Sequence, residues 1–126
     1  MRILITGVAG FIGFSCARKF LKKNIKVVGI DNLDNYYSIK LKKQRIKILK
    51  KYKKFQFIKL NIIKAYDFKK LKNFKFTHVL HFAAQPGVRY SLLNPKKYYE
   101  TNIKGFINVV ESLNTKNLKK FIYASS

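Results

Sequence analysis

The stretch Ile3-Leu4-Ile5-Thr6-Gly7-Val8-Ala9-Gly10-Phe11-Ile12-Gly13 decides how the rest of the chain is read. Its first part is a short apolar run, and the glycines that follow mark its end, so it reads as a buried strand. Three glycines then recur at a spacing of three. Gly7 permits a sharp turn. Gly10 lets a ligand's phosphates approach the backbone with no Cβ in the way. Gly13 lets a following helix pack close to the strand. A helix that begins at Phe11 turns its first N–H groups, those of Phe11 and Ile12, toward an anion lying on the turn. The pattern predicts a site for the pyrophosphate of a dinucleotide.

Working outward, strands and helices alternate. Strands are expected at residues 2–6, 26–30, 55–60, 77–82 and 119–124. Helices are expected at residues 11–23, with Phe11, Ile12, Ala17, Phe20 and Leu21 as the apolar face, and at 38–51, with Ile39, Leu41, Ile46 and Leu49 near one side. A short helix or helical turn is expected over 67–74. A longer one is expected over 95–113, with Pro95 in its first turn. Residues 83–94 read as a loop. Such alternation builds a parallel sheet from βαβ units. With right-handed crossovers and a glycine turn after the first strand, it predicts an α/β, Rossmann-type doubly wound sheet in the order 3-2-1-4-5. Residues 1–126 read as one cofactor-binding domain, with no repeat and no linker.

Composition sets limits on function. The formal charge is +23, from 28 basic and five acidic residues. Arg2, Arg18, Arg45 and Arg89 are the arginines; the other basic residues are lysines spread over helix faces and loops. No arginine-rich surface or aromatic stacking platform is visible, so a specific nucleic-acid site is not expected, only weak salt-sensitive attraction to polyanions. Cys16 is the single cysteine, which excludes an internal disulfide and fits a reducing, cytoplasmic setting. No signal peptide and no membrane-spanning run is read in the sequence.

The remaining site residues follow from position. Asp31 ends the second strand, where its carboxylate can accept from both hydroxyls of an adenosine ribose and repel a 2′-phosphate. That favours NAD over NADP. Asn61 follows the third strand and reads equally as a turn asparagine or as a contact to the adenine edge. Phe82, Ala83 and Ala84 follow the fourth strand, where small residues let the backbone lie against the cofactor. His78 and His81 read as core histidines with no chemistry.

These segments together carry a family resemblance. Thr6-Gly7-x-x-Gly10-Phe11-Ile12-Gly13, Asp31-Asn32-Leu33, His81-Phe82-Ala83-Ala84 and Tyr123-Ala124-Ser125-Ser126 resemble the extended branch of the short-chain dehydrogenase/reductase superfamily. Residues 31–37 and 84–91 are most similar to the UDP-glucuronate 4-epimerases. The resemblance implies bound NAD, a UDP-glucuronate-type nucleotide sugar, and inversion at C4 through a 4-keto sugar with no net redox change. It implies that Ser126 is catalytic, bonding the substrate oxygen, and that Ser125 is its neighbour on the cofactor side. Asn32, Ile62 and Asn102 fall at cofactor positions. Gln85, Gly87 and Arg89 fall on the substrate side, where a guanidinium suits a carboxylate or phosphate. A homodimer is implied for the full-length enzyme.

The family's catalytic Tyr-x-x-x-Lys belongs on a helix beyond Ser126. Tyr36 with Lys40 and Tyr66 with Lys70 repeat the pattern, but neither is expected across the sheet edge from Ser126. The chain alone is therefore expected to lack turnover. It reads as the N-terminal part of an epimerase. The alternatives are a non-catalytic NAD-binding fragment, a half-enzyme completed by another chain, or a nucleotide-sugar 4,6-dehydratase or decarboxylase.

Overall fold

A computed structural model describes residues 1–125; Ser126 lies outside the described residues. Five parallel strands form one sheet in the order β3-β2-β1-β4-β5. They are β1 (Arg2–Thr6), β2 (Lys26–Asp31), β3 (Phe55–Lys59), β4 (His78–His81) and β5 (Lys120–Tyr123). The expected order is the observed one. Leu4 sits opposite Val28 on one side and Val79 on the other, which places β1 at the centre.

Strand alternation divides the core into two layers. Ile3 and Ile5 face the layer that holds Ala17, Leu21, Ile46 and Leu49. Leu4 faces the opposite layer, with Val28, Phe68, Leu71 and Val109. The first layer is covered by helices α1 (Phe11–Lys22) and α2 (Ile39–Leu49). The second is covered by a 3-10 stretch (Ala65–Leu71), the helical turn expected near 67–74 but begun two residues earlier, and by helix α5 (Gly105–Ser112). Among the described residues, no helix is long and apolar enough to cross a membrane.

Three expectations are corrected. Phe11 and Ile12 are exposed, and the buried face of α1 is Gly13, Ala17 and Leu21. The close approach of Gly13 to the β1–α1 turn sets that rotation and turns the first two side chains outward. In α2 the buried positions are Lys42, Ile46 and Leu49, while Ile39 and Leu41 are exposed. Lys42 takes a core-side position because its ammonium reaches a backbone acceptor, the Asp34 carbonyl, at 2.8 Å. Residues 83–94 are not all loop: helix α3 (Val88–Leu93) forms inside them, after Gly87. The helix expected over 95–113 is present but not uniformly α-helical. Helix α4 (Pro95–Tyr98) passes into a π-helical stretch (Tyr99–Lys104) before α5, which ends at Ser112.

Candidate cofactor cleft

The carboxyl ends of the strands open into a cleft of about 300 Å³. Its floor is the turn from β1 to α1. Gly7 has φ of +68°, and a Cβ there would lie 2.8 Å from the Ala83 nitrogen. A Cβ on Gly13 would lie 2.2 Å from the Gly7 carbonyl oxygen. Both positions therefore require glycine for steric reasons. The N–H of Gly10 bonds the Gly7 carbonyl at 3.0 Å, and that of Phe14 bonds Gly10 at 2.9 Å. Gly10 caps α1 with no side-chain acceptor. The N–H groups of Phe11, Ile12 and Gly13 thus have no acceptor among the described residues, which is the arrangement an anion needs at a helix start.

Asp31 is buried at the end of β2. Its Oδ2 accepts from the Ala9 N–H at 3.0 Å and its Oδ1 from the Leu33 N–H at 2.8 Å. These two bonds orient the carboxylate between the glycine turn and the following loop. Each oxygen keeps a second lone pair, so the group can still accept from two ribose hydroxyls. The loop includes Leu33 in the left-handed region, at φ 58°.

The wall opposite the turn starts at β4. Thr6 is fully buried, and its Oγ1 accepts the N–H groups of Phe82 at 3.1 Å and Ala83 at 3.0 Å. The same oxygen lies 2.8 Å from His81 Nδ1. Having accepted twice, the hydroxyl donates its own proton to the imidazole. His81 is therefore neutral, with its hydrogen on Nε2. Burial pushes its pKa down to about 4, and Phe106 packs edge-on at 5.4 Å. His81 is a core histidine, as expected, but it also braces the backbone of residues 82–83.

Asn61 keeps both of its expected roles open. Its Oδ1 accepts from the Ile63 N–H at 3.1 Å, a turn contact, while the residue lines the cleft. Asn102 sits in the π-helical stretch. Its Oδ1 accepts the Gln85 N–H at 2.7 Å, and its Nδ2 donates to the Gln85 carbonyl at 3.2 Å. Asn102 thus holds the cleft wall from behind and is not itself among the lining residues.

Of the residues singled out in the sequence, the cleft brings together Gly7, Gly10, Asp31, Asn32, Asn61, Ile62, Phe82, Ala83, Ala84 and Gln85. Phe11, Ile12, Gly13, Gly87, Arg89 and Ser125 do not line it. Arg89 is exposed on α3, and Ser125 is exposed just past β5. Ser126, the expected catalytic hydroxyl, lies outside the described residues. The sequence reading missed Asp34, Tyr36, Tyr37, Lys42, Lys97 and Thr101, all of which line the cleft. The tyrosine pair next to Asp31 was the one available signal; nothing local marks Lys97 or Thr101.

Residues 3–126 match the NAD dependent epimerase/dehydratase family. The chain belongs to that family. It is 39% identical over 124 residues to the UDP-glucuronate 4-epimerase of Thermodesulfobacterium geofontis, covering 98% of this chain and 38% of that protein. It is 42% identical over 127 residues to Protein CapI of Staphylococcus aureus, covering all of this chain and 38% of CapI. It also superposes on the Bacillus cereus UDP-glucuronic acid 4-epimerase, solved with UDP-glucuronic acid and NAD, at a TM-score of 0.88. That match has 36% identity and covers all of this chain and 40% of the other. This epimerase-family chain spans about two fifths of the length of these relatives.

Proposed function

We propose that this chain is the cofactor-binding part of an NAD-dependent nucleotide-sugar 4-epimerase that interconverts UDP-glucuronate and UDP-galacturonate. The observation that carries the cofactor assignment is Asp31, a buried carboxylate held 3.0 Å from the Ala9 N–H of the glycine turn, with lone pairs left over. A 2′-phosphate placed there would meet a negative charge, so NAD fits and NADP does not. The glycine turn and the free N–H groups of Phe11, Ile12 and Gly13 suit the pyrophosphate. Asn32, Asn61 and Ile62 suit the adenine side, and Ala83 and Ala84 the nicotinamide side.

When bound, NAD supplies the hydride exchange at the sugar carbon. This chain's residues bind and orient it. Thr6 and His81 hold the backbone of residues 82–83 against the turn, and Asn102 holds Gln85. Arg89 is exposed and takes part in none of the ion pairs among the described residues. Its guanidinium is therefore available to a sugar carboxylate or a phosphate. Gln85 and Gly87 complete the substrate side. Ser126 is assigned the hydroxyl that bonds the reacting oxygen, with Ser125 beside the cofactor. The catalytic tyrosine and lysine are assigned to chain beyond Ser126. Tyr66 is exposed on the 3-10 stretch, and Tyr36 packs against other tyrosines, so neither replaces it.

Fluorescence titration with NADH and NADPH tests the first part. The chain is expected to bind NADH and to discriminate against NADPH, and Asp31→Ser is expected to narrow that preference. A chain that binds neither refutes the assignment. For the second part, the chain is incubated with UDP-glucuronate and NAD, alone and joined to the remaining portion of the T. geofontis relative. UDP-galacturonate is expected only from the joined protein. Turnover by the 126 residues alone would show that the base lies within them.

A further inference from the structure

Two loops meet across the mouth of the cleft. The first, residues 32–38, follows β2. The second follows β4 and continues through α3 and α4. Asp34 of the first pairs with Lys97 of α4 across 63 positions of sequence, with Nζ 3.2 Å from Oδ2. Their side chains are 29% and 26% exposed, so the pair is partly screened from water. Carboxylates are scarce in this chain, five against 28 basic residues, and Asp34 is engaged on every side. Its Oδ1 accepts the Tyr36 N–H at 2.9 Å, and its carbonyl accepts Lys42 Nζ at 2.8 Å.

An aromatic contact reinforces the same junction. The Tyr36 ring lies 5.1 Å from Tyr90, and Tyr90 lies 6.2 Å from Tyr98. The Lys97 ammonium sits 5.8 Å from the centre of the Tyr90 ring, close enough for a cation–π attraction. The Tyr98 hydroxyl is shared between the carbonyls of Pro86 and Gly87. Gly87 has φ of +100°, and a Cβ there would strike the Tyr36 hydroxyl at 2.2 Å. The two loops are therefore fitted to each other, and Asp34, Tyr36, Pro86 and Lys97 all line the cleft.

We propose that Asp34 and Lys97 are positioning residues for the cofactor, their ion pair strapping the β2 loop to α4 over the cleft and setting the rate at which NAD leaves. The proposal rests on the NAD reading above. Neither residue needs to touch the cofactor. A dinucleotide lying from Asp31 to Ala84 is enclosed while the pair holds and is released when it parts.

The test is displacement of bound NADH by excess NAD, followed by stopped-flow fluorescence on the chain and its variants. Asp34→Asn keeps the oxygen that caps Tyr36 and removes only the charge. Lys97→Gln removes the other half. The two substitutions change the local charge in opposite directions, so a common response reports the link and not the field. Each is expected to raise the release rate about three- to fivefold, in line with the strength of a partly exposed pair. The double variant is expected to match the singles, because the same link is broken once. Association should quicken too, so affinity moves less than release; a merely damaged site would lose affinity in full. Release rates within about 1.5-fold of the unmodified chain, or a double variant equal to the product of the singles, would overturn the strap and leave the cofactor reading standing. No NADH binding by the unmodified chain would overturn both.

Discussion

The two walls of the cleft are held by different physics. The glycine-turn wall, residues 6–13, is set by backbone sterics, within the turn itself at Gly13 and against the Ala83 backbone at Gly7. The facing wall, from Gln85 to Thr101, is set by side-chain hydrogen bonds and one ion pair over long distances. A Cβ at Gly13 has no space, because its nearest neighbour is a carbonyl oxygen of the same turn. Removing Asn102 leaves the backbone groups of buried Gln85 without their partner, but the side chain removed is itself exposed and its place can be taken by water. The first wall should therefore fail all at once and the second by degrees.

The largest expected effect breaks the first wall. Gly13→Ala must push the Gly7 carbonyl aside, and a urea melt is expected to show a loss of about 3 kcal/mol or more. A loss below about 1 kcal/mol would mean that the turn relaxes freely and that backbone sterics do not set it.

The joint between the walls comes next, and it is sensitive to pH. An unfolded chain protonates His81 near the ordinary pKa of about 6.5, whereas the folded chain resists until about 4. Between those values the unfolded state holds the extra proton. Stability is thus complete above about pH 6.5 and falls as the pH drops to about 4, by on the order of 3 kcal/mol. Melts of the chain across this range should show the decline, and His81→Gln should flatten it. An equally steep decline in the variant would show that His81 is not its source, and Asp34 could not replace it, because its stabilisation is lost only below the ordinary carboxylate pKa of about 3.8. Burial alone would raise the Asp34 carboxyl, but the Tyr36 N–H and the Lys97 and Lys42 charges together hold it below the ordinary range.

The smallest effect belongs to the second wall. Asn102→Ala deletes two bonds to Gln85 at an exposed position and is expected to cost about 1 kcal/mol. NADH affinity should fall a few-fold, and the melting temperature should drop by only about 3–5 °C. A loss as large as that of Gly13→Ala would erase the contrast between the walls.

The contrast also marks what could be read in advance. The strand order, the glycine turn and Asp31 were legible because each depends on neighbours in sequence or on alternation along a strand. The exposure of Phe11 and Ile12 was not, because the close approach at Gly13 rotates α1 and leaves its apolar first turn outside. Lys42 was unreadable as a core position, since a lysine looks polar until its ammonium finds the Asp34 carbonyl. Helix α3 hid inside an apparent loop. The π-helical stretch hid inside an apparent helix, and it is there that Asn102 turns back to Gln85.

By itself, the sequence determined a parallel five-stranded sheet, a glycine turn after the first strand and an acidic residue at the end of the second. Short-range sterics and strand alternation are written in adjacent residues. Only the tertiary structure decided which partner each polar side chain takes: Thr6 with His81, 75 positions away, and Asp34 with Lys97, 63 away. A hydrogen bond or an ion pair depends on angstrom-scale placement of groups that no local pattern joins, and folding alone brings them within reach.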